Sequence, residues 1–226
     1  MKTAVFVQAR VKSTRFPYKM LLPLSGKPLI QRCLNAARQI KADYYSILTT
    51  EEDAIYFEQV CKEENFDITT GPEHDVLQRF ANGIEKYGVD TVVRITGDKA
   101  FLSPIHTQEL IDSYLDFDFM FDFVYYDVTP YKETTGAPYK AEKIMEMNAN
   151  PDALPEWREH VKPGFIANYR TQIMPKPVRY RTALSNFTFT IDTPDDYRNV
   201  SRIYELLYQG KPIEVQDLED LGRLFV

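Results

Sequence analysis

Apolar and polar residues alternate in blocks along the first hundred positions of the chain. Residues 3–8, Thr-Ala-Val-Phe-Val-Gln, make an apolar run of strand length. From Pro28 to Lys41, Leu29, Ile30, Cys33, Leu34, Ala37 and Ile40 recur at helical spacing, with Pro28 in the first turn. A strand at 44–49, a helix at about 52–65 and a short strand at 67–70 follow. Next come a helix at about 75–87, with Val76, Leu77, Phe80, Ile84 and Tyr87 inward, and a strand at 91–96. This repeated alternation predicts an α/β fold: a doubly wound, mostly parallel central sheet with helices on both faces.

The rhythm changes after Asp98. A helix is predicted at 104–115. The run from Asp116 to Tyr126 alternates imperfectly between acidic and apolar residues and predicts a long strand, with Asp116, Asp118 and Asp122 on its solvent face. A loop at 129–138, helices at 141–148 and 156–169, a strand at 187–191 and helices at 193–208 and 215–224 complete the chain. No stretch has linker composition and no repeat is present, so residues 1–226 read as one domain with a subregion at about 116–185.

Composition narrows the class. The chain has 226 residues and a net charge of −6, which argues against a nucleic-acid partner. No apolar run reaches the ~18 residues of a membrane span. The N-terminus turns polar too soon for a signal peptide, so a cytoplasmic protein without a membrane partner is expected. Cys33 and Cys61 fall in predicted helices without metal-ligand spacing and are expected to be reduced, packed thiols.

Against this acidic background, Arg10, Lys12, Arg15 and Lys19 crowd one loop after the first strand, with Ser13 and Thr14 between them. Ligands of open α/β sheets bind outside the carboxyl ends of the strands. Two more polar groups fall at such ends: Arg94-Ile-Thr96-Gly97-Asp98, and Asp192 after the strand at 187–191. The cations suit a nucleoside triphosphate, and Asp98 with Asp192 suits magnesium, which takes one or two carboxylates plus substrate phosphates. Each piece also has a plainer reading. The basic loop could be solvated surface, Asp192-Thr193-Pro194-Asp195 is a good helix start, and Asp98 could be a turn residue. The Ser25-Gly26-Lys27 turn lacks the spacing of a Walker loop.

Gln8-Ala9-Arg10-x-x-Ser13-Thr14-Arg15-x-Pro17-x-Lys19, followed by Gly26-Lys27-Pro28-Leu29, resembles the signature of the sugar cytidylyltransferases. These include the CMP-Kdo and CMP-sialic acid synthetases, and the chain is most similar to the spore-coat polysaccharide biosynthesis protein F-like branch. Val92-Val-Arg94-Ile-Thr96-Gly97-Asp98, Arg158-Glu159-His160-Val161 and Thr190-Ile-Asp192-Thr-Pro-Asp195-Asp196 agree with that branch.

The resemblance implies a GT-A-type, Rossmann-like nucleotidyltransferase fold and a homodimer. It implies transfer of CMP from CTP, with Mg2+ as cofactor, to a sugar or sugar-acid acceptor for polysaccharide or glycan biosynthesis. It implies a nucleotide site of Gln8, Ala9, Arg10, Ser13, Arg15, Lys19, Arg94 and Thr96. Arg10, Arg15, Lys19 and Asp98 are then catalytic, Asp98 and Asp192 hold the metal, and Lys140, Arg158 and His160 belong to the acceptor side. The aromatic run 114–126 offers apolar surface for dimerisation.

Two positions depart from the pattern. Lys99 follows Asp98 where the family continues Asp-x-Pro, so it either meets a phosphate or substrate carboxylate or displaces a metal. Lys140 stands where relatives tend to be acidic, which suits an anionic acceptor or plain surface. His160 is either structural, at an interface, or acceptor-binding. Two alternatives stay open: a glycosyltransferase using Asp116-Phe-Asp118 as its metal site, and a non-catalytic relative, for which Lys99 and Lys140 speak.

Overall fold

Strand β1 (Thr3–Gln8) is apolar on both sides because both sides are covered. Val5 and Val7 join one core layer and Ala4 and Phe6 the other. The structure is a computed structural model that describes residues 1–117, 120–175, 184 and 187–222. Its main sheet has seven strands in the order β5-β4-β1-β6-β8-β7-β9. β4 (Tyr44–Thr49), β5 (Asp67–Thr70) and β6 (Thr91–Thr96) are parallel to β1, with Val5 opposite Tyr45 on one side and Val93 on the other. β7 (Phe123–Tyr125), β8 (Ala137–Lys140) and β9 (Thr171–Ile173) extend the sheet. β8 runs antiparallel to β6 and β7, and β9 is parallel to β7. A two-stranded hairpin, β2 (Pro23–Leu24) with β3 (Lys27–Pro28), stands apart from the sheet.

From β1 the chain moves outward to β4 and β5, then returns to β6 on the other side of β1. The carboxyl ends of β1 and β6 therefore frame the crevice where ligands of such sheets bind. One core layer packs helices α1 (Leu29–Ala37), α2 (Ala54–Glu64) and α9 (Pro194–Leu207) against Val5, Val7, Val93 and Ile95. The other packs α3 (Val76–Tyr87), α6 (Ala141–Ala149) and α8 (Lys162–Asn168) against Ala4, Phe6 and Val92. Cys33 and Cys61 are free and buried in the first layer, and burial pushes both thiols up to about 12. No helix among the described residues is long and apolar enough to cross a membrane.

Every strand and helix predicted before Asp98 is present, with all four strands at the expected residues. The second half differs. Helix α4 (Pro104–Asp116) takes in Asp116, only residues 123–125 of the following run are strand, and Asp118 lies outside the described residues. Asp122 is not on a solvent face: it is buried and accepts hydrogen bonds from the Arg170 backbone and guanidinium. Tyr114, Phe123, Tyr125 and Tyr126, expected to offer a surface, are buried within the chain. The predicted loop at 129–138 contains the short helix α5 (Tyr131–Thr134) and the start of β8.

The single helix predicted at 156–169 is two, α7 (Pro155–His160) and α8, broken where Val161 turns to φ 59. A β-branched residue there is an outlier, and its buried side chain anchors the turn in the core. The strand predicted at 187–191 is reduced to a single bridge between Thr190 and Lys99. Helix α10 (Val215–Gly222) is the last described element.

Candidate active site

The loop after β1 is held from below. The Ala9 N–H donates to the Leu48 carbonyl at 3.0 Å, and the Val11 N–H donates to Asp53 Oδ2 at 2.7 Å. Tyr18 N–H closes back on the Val11 carbonyl at 2.8 Å, with Tyr18 itself left-handed at φ 61, and a one-turn helix then begins at Lys19. Ser13 Oγ–H donates to the Phe16 carbonyl within the same loop. Across from it, Gly97 N–H donates to the Gln8 carbonyl at 2.9 Å. A Cβ on Gly97 would lie 2.9 Å from Ile30 Cδ1 and 3.1 Å from the Ala9 methyl, so glycine lets the β6 turn close against β1 without displacing either side chain.

These loops wall a cavity of about 590 Å³. Gln8, Ala9, Arg10, Ser13, Arg15, Lys19, Arg94, Thr96, Asp98 and Asp192 all line it, as does His160. Ten residues expected at the nucleotide and metal sites, drawn from three separate strand ends, therefore share one crevice.

On one rim the charges are matched to one another. Lys19 is 5% exposed. Its ammonium donates to Asp98 Oδ2 at 2.9 Å, to Asp192 Oδ1 at 3.0 Å and to the Ile191 carbonyl. Arg15, though exposed, donates to the same Asp192 oxygen at 2.9 Å. Burial pushes the Asp98 carboxyl up, but Lys19, Thr96 and Lys99 outweigh it and hold the group below its ordinary range. Among the described residues no group of three or more His, Cys, Asp or Glu can hold a metal. The two carboxylates nevertheless converge on one point, now filled by an ammonium. That donor set fits a magnesium ion whose remaining ligands are phosphates and water. Asp192 also precedes the capping box of α9, but the cap itself is Thr193 with Asp196, which leaves the Asp192 carboxylate to the cleft.

Arg10 reaches across the cleft toward Glu159 on α7 at 3.7 Å and Glu73 at 4.0 Å. Arg94 Nε donates to Gln8 Oε1 at 2.8 Å, which fixes both side chains on the cleft floor.

The opposite rim holds a residue that was not anticipated. Arg79, on α3, is 2% exposed and lines the cavity, and its Nε and Nη1 have no partner among the described residues. Burial, aided by Arg10, lowers its guanidinium to about 10. Gly71 makes room for it, since a Cβ there would lie 2.9 Å from Arg79 Cγ. The sequence carried a signal: Arg79 falls on the inward face of a helix otherwise lined by Val76, Phe80 and Ile84, where an arginine is out of place unless used.

Three other residues are not brought to the cavity lining. Lys140 pairs with Thr91, at the start of β6 and the opposite end of the sheet from the cleft, and reaches Glu142 at 3.3 Å. Arg158 ties α7 to Asp75, the N-cap of α3, at 2.7 Å and to Asn148 on α6 at 2.9 Å, so it supports its neighbours Glu159 and His160 from behind. Lys99 is buried behind Asp98 and donates to the Lys132 carbonyl at 2.9 Å, so it reaches neither a phosphate position nor the point between the carboxylates.

A family model described as cytidylyltransferase matches residues 4–213. The spore coat polysaccharide biosynthesis protein SpsF of Bacillus subtilis is 28% identical over 94% of this chain and 90% of its own. A 3-deoxy-manno-octulosonate cytidylyltransferase of Aliivibrio fischeri is 34% identical over 51% of this chain and 47% of its own length. Among solved structures, a cytidylyltransferase from Leptospira borgpetersenii superposes with a TM-score of 0.86 at 23% identity, covering 99% of this chain and 95% of the other. A CMP:2-keto-3-deoxy-manno-octonic acid synthetase complexed with CTP gives 0.68 at 18% identity, over 91% of this chain and 99% of the other. The chain belongs to the cytidylyltransferase family and has its Rossmann-like nucleotidyltransferase fold.

Proposed function

We propose that this member of the cytidylyltransferase family transfers CMP from CTP to a hydroxyl of a sugar or sugar-acid acceptor, releasing pyrophosphate. The observation that carries this is the convergence of Lys19, Arg15, Asp98 and Asp192 on one rim of a cavity whose other rim presents an unpartnered arginine. Arg10, Arg15 and Lys19 supply positive charge to the triphosphate, with arginine forks suited to bidentate contacts and lysine acting as a point charge. Asp98 and Asp192 would hold magnesium, which supplies charge neutralisation at the phosphates.

The acceptor hydroxyl oxygen bonds to the α-phosphorus, the bond to the β-phosphate oxygen breaks, and pyrophosphate leaves with the electron pair while the hydroxyl proton is released. Little covalent work falls to the protein, and positioning with electrostatic stabilisation supplies most of the acceleration.

Arg79 adds a buried positive charge to the wall of the same cavity. The preference for cytosine rests on the family match. On the acceptor side, Glu159 and His160 line the cavity and Arg158 positions them. Lys140 is too far round the sheet for a role there. The name of the Bacillus relative supports a place in surface polysaccharide synthesis, with the acceptor a sugar or sugar acid.

The direct test is calorimetric titration with each of the four nucleoside triphosphates and magnesium. Coupled detection of pyrophosphate against a panel of sugar acids and sugar phosphates completes it. CTP should bind more tightly than the other three nucleotides. Absence of binding by all four nucleotides would sink the proposal.

A further inference from the structure

The ammonium of Lys19 stands where the carboxylates of Asp98 and Asp192 converge, 2.9 and 3.0 Å from one oxygen of each. Its third proton goes to the Ile191 carbonyl, so all three donors of the ammonium are used. Magnesium binds oxygen at about 2.0–2.1 Å, so a metal ion held by both carboxylates would occupy the space that the ammonium fills. The two cations exclude each other. Arg15 adds a second positive partner to Asp192 at 2.9 Å, so the two carboxylates are already balanced by two cations. A divalent ion arriving alone would meet a neutralised site closed by a buried side chain. A triphosphate changes this, because it offers Lys19 and Arg15 new anionic oxygens on the same cavity wall and supplies the ligands that two carboxylates lack.

We infer that Lys19 is a resident cation that holds the Asp98–Asp192 pair closed until a triphosphate draws it away, so that the divalent ion enters only with the nucleotide. This rests on the reading that Asp98 and Asp192 are the metal ligands. Metal and nucleotide then bind with positive coupling, and each raises the affinity of the other by the same factor. Lys19 has two successive partners, first the carboxylates and then the phosphates.

The test is manganese binding to the full-length protein, followed by electron paramagnetic resonance of free Mn2+, without and with an α,β-methylene analogue of CTP. Wild-type protein should bind Mn2+ weakly alone and at least about tenfold more tightly with the analogue. Lys19→Met should bind Mn2+ without nucleotide about tenfold or more tightly than wild type, and should lose most of the coupling. Lys19→Arg, which keeps a cation at the pair, should stay weak without nucleotide. A second readout does not depend on a well-behaved methionine variant: added Mn2+ should raise the melting temperature of Lys19→Gln more than that of wild type, because it replaces the lost charge. Equal nucleotide-free Mn2+ affinity in wild type and Lys19→Met overturns the inference while leaving the metal assignment intact. Absence of Mn2+ binding to wild type even with the analogue overturns the metal assignment, and this inference with it.

Discussion

On one rim of the cleft, Lys19, Arg15, Asp98 and Asp192 are bound to one another; on the other, Arg79 is buried with two nitrogens unpartnered. The first rim is satisfied in the free protein and must exchange partners to bind anything. The second is unsatisfied: it keeps a buried charge on the cavity wall without hydrogen bonds at Nε and Nη1 among the described residues. An unmatched buried donor costs roughly 1–3 kcal/mol, more when charged. A matched buried pair is close to neutral for stability but turns sharply unfavourable when one member is removed. The comparison therefore assigns the rims different jobs. The matched rim handles charge that moves during the reaction, and the unmatched rim adds a standing positive charge that attracts an anionic ligand.

The largest expected effect lies on the matched rim. Asp98→Asn removes one of the two carboxylates at the metal position and should lower turnover by about 1,000-fold or more, several kcal/mol of transition-state stabilisation. Asp192→Asn should fall in the same direction. Steady-state pyrophosphate release with saturating CTP and acceptor measures both. Full turnover in either variant would remove that carboxylate from the metal site and leave the rim as a structural ion-pair cluster.

Arg79→Met should separate the rims by sign. It replaces an unpartnered buried guanidinium by an apolar side chain of similar length, so the melting temperature of the free protein should hold or rise. The affinity for CTP should fall by roughly tenfold, the loss of one charged group from the cavity wall. Thermal denaturation and calorimetry on the same preparation suffice. A variant that melts well below wild type would show that Arg79 is a structural residue with partners of its own.

Much of the matched rim was legible in the chain. The parallel half follows one rule, strand then helix, and strands of six, six, four and six residues stand at the expected positions. Arg10, Ser13, Arg15 and Lys19 fall in one loop, and the positions of Asp98 and Asp192 just past strand ends are topological facts that sequence order carries. What the sequence did not carry was the distance between the charges, so the capture of both carboxylates by Lys19 is visible only in the fold.

The second half obeys no such alternation. The acid–aromatic run from Asp116 was read as a two-faced strand, yet buried Asp122 pairs with Arg170, a partner 48 residues away. Val161 breaks a helical pattern through backbone conformation, for which a valine gives no warning. Lys140 was placed by alignment to relatives, but the antiparallel β6–β8 register carries it to Thr91 at the far end of the sheet, and Ala137 is the β8 residue beside Arg94.

Lys99 marks where the matching stops, and it gives the smallest of the expected effects. It lies one residue behind Asp98, buried, with its ammonium on the Lys132 carbonyl. Burial dominates its environment and lowers the group to about 8, with Asp98 only partly compensating. A lysine of the unfolded chain titrates near 10.5. Between these values the unfolded chain holds a proton that the folded protein has lost, so the stability contributed by this group rises with pH through the window from about 8 to 10.5. The slope is at most ~1.4 kcal/mol per pH unit. Lys99→Met has no such proton. The melting temperature of wild type minus that of Lys99→Met should therefore climb from pH 8 to pH 10 and be flat below pH 7. A difference that stays flat throughout would mean that Asp98 fully neutralises Lys99, and that the matched rim extends one residue deeper than its hydrogen bonds indicate.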